Sequence, residues 1–205
     1  MNVEPLLIAT RSAGKLRELR ELFARADIAI MDLSEAGIAP SDAEDDLETA
    51  ETFEENALAK ARYFARLAGR AVVADDSGLE VAVLGGRPGV HSKRWSGRAD
   101  LTGRSLDRAN NERLIQELGG LTSRAARYVC VAALIDGAIE RTFRGTTSGV
   151  ILEEPRGVEG FGYDPYFFSD ELRKTFGEAS LVEKEGVSHR GRAFRALVDA
   201  LAWRR

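Results

Sequence analysis

The dipeptide Asp136-Gly137 constrains this chain more than any other local feature. It stands between two strand-like runs, Ala125 to Ile135 and Ala138 to Thr146, and Asp-Gly is favoured in the two-residue type I′ turns that join antiparallel strands. An antiparallel hairpin is therefore expected. The opening of the chain has a different pattern. Pro5-Leu6-Leu7-Ile8-Ala9 reads as a short buried strand, and after the loop Thr10 to Gly14, Leu16, Leu19, Leu22 and Phe23 recur at helical spacing. Strand-helix units of parallel type at the start and a hairpin later imply a mixed sheet flanked by helices, an α/β fold.

Residues 42 to 51 read as an acidic, irregular segment. Thr52 then caps a helix with Glu55 at its third position, and that helix is expected to run to about Leu67. Ala71 to Ala74 reads as a second buried strand that ends in the acidic turn Ala74-Asp75-Asp76-Ser77-Gly78. Leu79 to Leu84 reads as another strand, closed by Gly85-Gly86-Arg87-Pro88-Gly89. A helix is expected at about 104 to 118, and Phe194, Leu197, Val198 and Leu201 give a packed terminal helix. At 205 residues, such a chain can bury roughly 70% of its unfolded surface, enough for a single domain of one or two closely packed lobes.

Composition narrows the partners. No stretch approaches the roughly 20 apolar residues of a membrane helix, so no spanning segment is expected. The net charge of −4 (29 basic against 33 acidic side chains) offers no global positive field for nucleic acid, whereas a small anionic substrate needs only local cations. His91, His189 and Cys130 lack the spacing of a zinc site, so any metal would be held mainly by oxygen. Cys130 has no partner for an internal disulfide, and Met1 to Pro5 lack the pattern of a secretory leader. A cytoplasmic location is expected.

Six features carry candidate chemistry. In Thr10-Arg11-Ser12-Ala13-Gly14-Lys15 a strand runs into a helix N-terminus, where backbone N–H groups and the helix dipole favour an anion; the alternative is an ordinary glycine turn. Asn56 and Lys60 share one helix face, either in a cleft or as a solvated pair. Asp75-Asp76 admits two readings: a turn capped by Asp and Ser, or a carboxylate pair that needs a cation or proton to relieve it. Hard oxygen ligands of this kind suit magnesium. Phe161-Gly162-Tyr163-Asp164-Pro165 offers two rings that either sandwich a base or anchor a core. Ser188-His189-Arg190-Gly191 is either a helix cap or a polar cluster able to donate to a purine carbonyl. Trp95 is a stacking wall or a loop anchor.

In combination and in order, these segments resemble the Ham1/RdgB family of inosine- and xanthosine-triphosphate pyrophosphatases. The matching stretches are Ala9-Thr10 through Lys15, Thr52 to Ala57 with Lys60-Ala61, Ala74 to Gly78, Leu84 to Gly89, Gly160 to Pro165 and Ser188 to Gly191. The resemblance implies a long, curved mixed sheet with two lobes and a central cleft, and a homodimer. It further implies hydrolysis of ITP, dITP and XTP to the monophosphate and pyrophosphate with Mg2+. By matching position, Asp76 would be general base and metal ligand, and Glu48 the second metal carboxylate. Thr10, Arg11, Ser12, Ala13, Gly14, Lys15 and Lys60 would bind phosphates. Asn56, Ser77, Phe161, Gly162, Tyr163, Asp164, Lys184, His189 and Arg190 would also belong to the substrate site. One departure stands out: Ser12 occupies a position where the family usually has asparagine. Two alternatives remain, a Maf-like pyrophosphatase acting on pyrimidine or modified nucleotides and a non-catalytic nucleotide-sensing module.

Overall fold

The first strand, β1 (Leu6–Ile8), is buried along its whole length and lies between two parallel neighbours, β2 (Ile30–Asp32) and β3 (Val72–Val81). Leu6 stands opposite Ile30 and Ile8 opposite Val73. The computed structural model describes residues 4–201, so Met1 to Val3, where no secretory leader is expected, lie outside the described residues. The sheet continues with β4 (Ala125–Asp136), β5 (Ile139–Ile151) and β6 (Phe167–Ser169), in the order β2-β1-β3-β4-β5-β6. Its last pair is antiparallel, with Val150 opposite Phe168. Helices α1 (Ala13–Arg25), α2 (Phe53–Ala68), α3 (Gly103–Glu117), α4 (Leu181–Val187) and α5 (His189–Ala200) complete the mixed α/β fold. No helix among the described residues is long and apolar enough to cross a membrane.

The chain divides into two compact units, and β3, β4 and β5 each contribute residues to both. The first unit holds residues up to Asp76, Cys130–Gly145 and the chain from Arg190 onward. Its core joins Leu19, Leu22 and Phe23 of α1 to Leu6, Ile8, Val73, Cys130, Ala132 and Leu134 of the strands, and to Ala193, Phe194 and Leu197 of α5. Phe23 and Phe194 meet edge to face at 5.9 Å. Burial of each such ring contributes roughly 1.5–3 kcal/mol. The cap predicted for α2 is present: Thr52 Oγ1 accepts from the Glu55 N–H at 3.2 Å and donates to its carboxylate at 2.8 Å. That helix ends at Gly69, whose φ of +63° a side chain would resist.

The second unit holds Ser77–Val129 and Thr146–His189. Its core gathers Leu79, Val81, Trp95, Leu114, Leu118, Tyr128, Ile151, Tyr163, Phe167 and Phe176. Trp95 is therefore an anchor, with the Arg113 guanidinium 4.4 Å over its ring.

Several expectations are corrected. Asp75 and Asp76 lie inside β3, not in a turn, and the two strands read at Ala71–Ala74 and Leu79–Leu84 are one; residues 82–84 form a 3-10 turn. Propensity misleads here because strand Asp and Gly are normally disfavoured, and tertiary partners override it. Asp42–Glu48, expected to be irregular, forms a 3-10 helix capped by Ser41 and Glu44. The hairpin forms as expected but its loop is one residue later. Asp136 ends β4 and Gly137-Ala138 make the turn, with φ of +57° at Gly137. A glycine at the first central position suits a type II′ turn, whereas type I′ needs positive φ at both. The short β2, β6 and α4 were not anticipated.

Candidate active site

Successive residues of a strand point to opposite faces, so Asp75 and Asp76 enter different surroundings. Asp75 is 1% exposed. Its Oδ2 pairs with Lys15 Nζ of α1 at 3.0 Å and accepts from Arg190 Nε of α5 at 3.3 Å and from Cys130 Sγ of β4 at 3.7 Å. Its Oδ1 is buried with no hydrogen-bond partner among the described residues. Arg190 in turn donates from Nη1 to Glu18 Oε2 at 2.6 Å. Burial alone would raise the Asp75 pKa, but Lys15, Arg190 and Lys60 outweigh it and hold the carboxyl well below its usual range.

Asp76 faces α2. Its Oδ2 accepts from Asn56 Nδ2 at 2.9 Å, and Asn56 is itself fixed by accepting from the Ala50 N–H at 2.9 Å. Burial raises the Asp76 pKa; Lys15 and Lys60 oppose the rise and Glu48 adds to it. Lys60 forms a salt bridge with Glu48. Thus Asp75 is held as a charge-compensated anion, while its neighbour binds a proton more readily than an ordinary aspartate.

The loop before α1 is built by its own side chains. The Ser12 N–H donates to Thr10 Oγ1 at 3.2 Å, and Ser12 caps α1, its Oγ accepting from the Lys15 N–H at 3.4 Å. Serine and asparagine cap helices about equally well, which accounts for serine at this position. Ala13, Gly14 and Lys15 form the first turn, so their backbone lies where the helix dipole attracts an anion. Arg11, in the same loop, is held by the segment that precedes α2. Its guanidinium pairs with both Glu44 oxygens, at 2.7 and 3.1 Å, and donates to the Ile38 and Ala39 carbonyls.

In the second unit, Asp164 is 2% exposed. Its Oδ2 accepts from Lys184 Nζ at 2.5 Å and from the Phe161 N–H at 2.8 Å, and its Oδ1 accepts from Tyr128 Oη at 3.4 Å. Lys184 Nζ also lies 4.9 Å over the Phe161 ring and 5.4 Å over Phe176. His189 stacks on Tyr128 with centroids 4.5 Å apart and planes within 7°. The α3 helix clamps the loop at Gly162, whose N–H donates to Asp107 Oδ2 and whose carbonyl accepts from Asn111 Nδ2, both at 2.9 Å.

The structure thus places Lys15, Glu48, Asn56, Lys60, Asp76 and Arg190 in the first unit, with Thr10 to Gly14 beside them, and Phe161 to Asp164, Lys184 and His189 in the second. Ser77 follows Asp76 in β3 as the first residue of the second unit. Of the two readings of the Phe161–Pro165 rings, the core anchor describes Tyr163: it is 4% exposed, packs in the core of the second unit, and its hydroxyl donates to the Ser92 carbonyl at 2.8 Å. Arg190 is 3% exposed and is held by Glu18 and Asp75. Sequence reasoning missed Glu18, Asp107, Asn111 and Tyr128. A signal for Glu18 exists, since it shares a helix face with Lys15 and Leu22.

A mixed α/β sheet carrying buried aspartates, two lysines and a helix N-terminus beside them has the build of a phosphate-handling protein. The chain belongs to the Ham1 family, which it matches over residues 6–200. It is 46% identical over 199 residues to the dITP/XTP pyrophosphatase of Frankia alni, covering 96% of each chain. It is 44% identical over 199 residues to the dITP/XTP pyrophosphatase of Thermus thermophilus, covering 95% of this chain and 90% of that one. Among solved structures, the HAM1 protein of Coxiella burnetii matches with a TM-score of 0.83 at 33% identity, over 98% of this chain and all of the other. The nucleoside-triphosphatase / dITP/XTP pyrophosphatase of Mycobacterium abscessus matches with a TM-score of 0.72 at 38% identity, over 95% and 98%.

Proposed function

We propose that this protein hydrolyses non-standard purine nucleoside triphosphates, dITP, ITP and XTP, to the monophosphate and pyrophosphate, acting as a cytoplasmic homodimer that cleanses the nucleotide pool. The observation that carries the reading is Asp76: a buried carboxylate on the face of β3 turned to α2, held by Asn56 and within the electrostatic reach of Lys15, Lys60 and Glu48. A base for water must be held in position, and Asn56 fixes one carboxylate oxygen of Asp76 at 2.9 Å.

In this reading Asp76 orients a water against the α-phosphorus and takes its proton, and pyrophosphate leaves. Lys15 and Lys60, each paired with a carboxylate before substrate arrives, transfer their attraction to the phosphates, where positioned cations lower the barrier. The first turn of α1 receives phosphate oxygens through its backbone. Glu48 and Asp76 would hold the metal. Among the described residues no three or more His, Cys, Asp or Glu side chains are grouped to hold an ion by themselves. A donor set of two carboxylates suits magnesium, which keeps several waters and takes the rest of its ligands from substrate phosphates. When bound, the ion would neutralise phosphate charge and polarise the scissile group.

Base choice falls to the second unit. Hypoxanthine and xanthine carry a carbonyl at position 6 where adenine carries an amine, and Lys184 and His189 supply donors suited to that oxygen. Pyrophosphate release from ITP, XTP, dITP, GTP, ATP and dTTP, with and without Mg2+, tests the reading. Release from the first three that requires the metal is expected. Release confined to dTTP would indicate the Maf-like activity, and binding without release would indicate a sensing module.

A further inference from the structure

We propose that Tyr128 is the positioning residue that sets base selectivity, an inference that rests on the reading of Asp164, Lys184 and His189 as base contacts. These three groups come from separate segments: a loop, α4 and the first residue of α5. Tyr128 touches two of them at once. Its hydroxyl donates to Asp164 Oδ1 at 3.4 Å, and its ring lies parallel to the His189 imidazole at 4.5 Å. The phenol is itself 7% exposed, runs parallel to Phe176 at 6.0 Å and tilts against Phe167 at 4.7 Å.

The anchor is rigid because Tyr128 belongs to β4, and side chains on sheet strands hold a constellation better than side chains on loops. Stacking fixes the plane of the imidazole and therefore the direction in which its nitrogens point. The hydroxyl makes a long contact with the second oxygen of Asp164, whose first is held by Lys184 and the Phe161 amide. Discrimination between a 6-oxo purine with and without a 2-amino group depends on donors and acceptors held in register, and a misplacement of about 1 Å costs on the order of 100-fold. Tyr128 supplies that register without touching the phosphates or the reacting atoms.

The test compares full-length wild type, Tyr128→Phe and Tyr128→Leu in kcat and KM for ITP, XTP and GTP, together with Tm. Tyr128→Phe keeps the ring and loses one hydrogen bond. It is expected to raise KM for ITP by about 3- to 10-fold with kcat within about twofold. Tyr128→Leu also frees His189 and is expected to reduce the ratio of kcat/KM for ITP to that for GTP by about tenfold, with the phenylalanine variant between. A merely structural role would lower Tm and depress all three nucleotides alike, and unchanged ITP-to-GTP ratios in both variants would overturn the inference. That result differs from failure of the underlying reading, in which wild-type protein itself releases no pyrophosphate from ITP or XTP and both proposals fall.

Discussion

The two faces of β3 treat adjacent carboxylates in opposite ways. On the face covered by α1 and α5, Asp75 meets Lys15, Arg190 and a thiol, and its charge is bound into a buried chain that ends at Glu18. On the face turned to α2, Asp76 meets the neutral amide of Asn56. Both are almost fully buried, yet one carboxyl is driven below its usual pKa range and the other above it. Burial raises both, so the difference lies in the charges around each: Arg190 joins the lysines at Asp75, whereas Glu48 opposes them at Asp76. In the proposed mechanism the first face compensates its buried charges, and the second leaves the carboxylate assigned as base with a neutral hydrogen-bond partner.

The comparison breaks most readily at Asp76. Asp76→Asn keeps an oxygen to accept from Asn56 and removes a charge whose ionised form is disfavoured. Turnover of ITP is expected to fall by about 10^3-fold or more, with Tm unchanged or slightly raised. An Asp76→Asn protein that releases pyrophosphate at the wild-type rate would remove the base from this face and the distinction with it.

Asp75→Asn should show the reverse emphasis. The substitution leaves Lys15 and Arg190 buried with one anion fewer, and breaking such a pair costs about 3–5 kcal/mol; because Arg190 keeps Glu18, the lower end is expected. The sign of the pH dependence follows from the depressed Asp75 pKa. Its stabilisation is present above the unfolded carboxylate pKa and is lost as pH falls toward the folded value. Denaturant unfolding should therefore show a gap between wild type and variant that is full at neutral pH and narrows below about pH 4. A gap independent of pH would mean that packing, not charge, holds Asp75.

Much of this arrangement was legible in the chain, and the rest was hidden for definite reasons. The helix period of α1, the Thr52 cap and the hairpin are local, so sequence carries them. The setting of Asp75 is not local. Arg190 lies 115 residues from it, and Glu18 lies 172 from Arg190. Without those partners two aspartates followed by Ser-Gly read as a turn, and with them the strand runs straight through. Tyr128 was hidden by the opposite circumstance. In a run of apolar strand residues it looks like core, and it is core; only its contacts with Asp164 and His189 distinguish it. Likewise, two of the cations placed by resemblance, Arg11 and Arg190, are committed to carboxylates that spacing did not reveal.

Cys130 offers the finest test of the same comparison. It is fully buried, and burial together with the adjacent Asp75 pushes its thiol pKa up, so it remains a neutral donor. A thiol is a weak donor, and at 3.7 Å it adds little to an oxygen already served by Lys15 and Arg190. Cys130→Ala is thus expected to cost about 1 kcal/mol, a Tm change of roughly 2–4 °C for a chain of this size. ITP turnover should stay within about twofold of wild type, and Cys130→Ser, which restores a donor, should be at least as stable as the alanine variant. If Cys130→Ala instead cost as much as Asp75→Asn, the α1 and α5 face would be held by shape around the thiol, and the ion chain from Lys15 to Glu18 would be incidental to its stability.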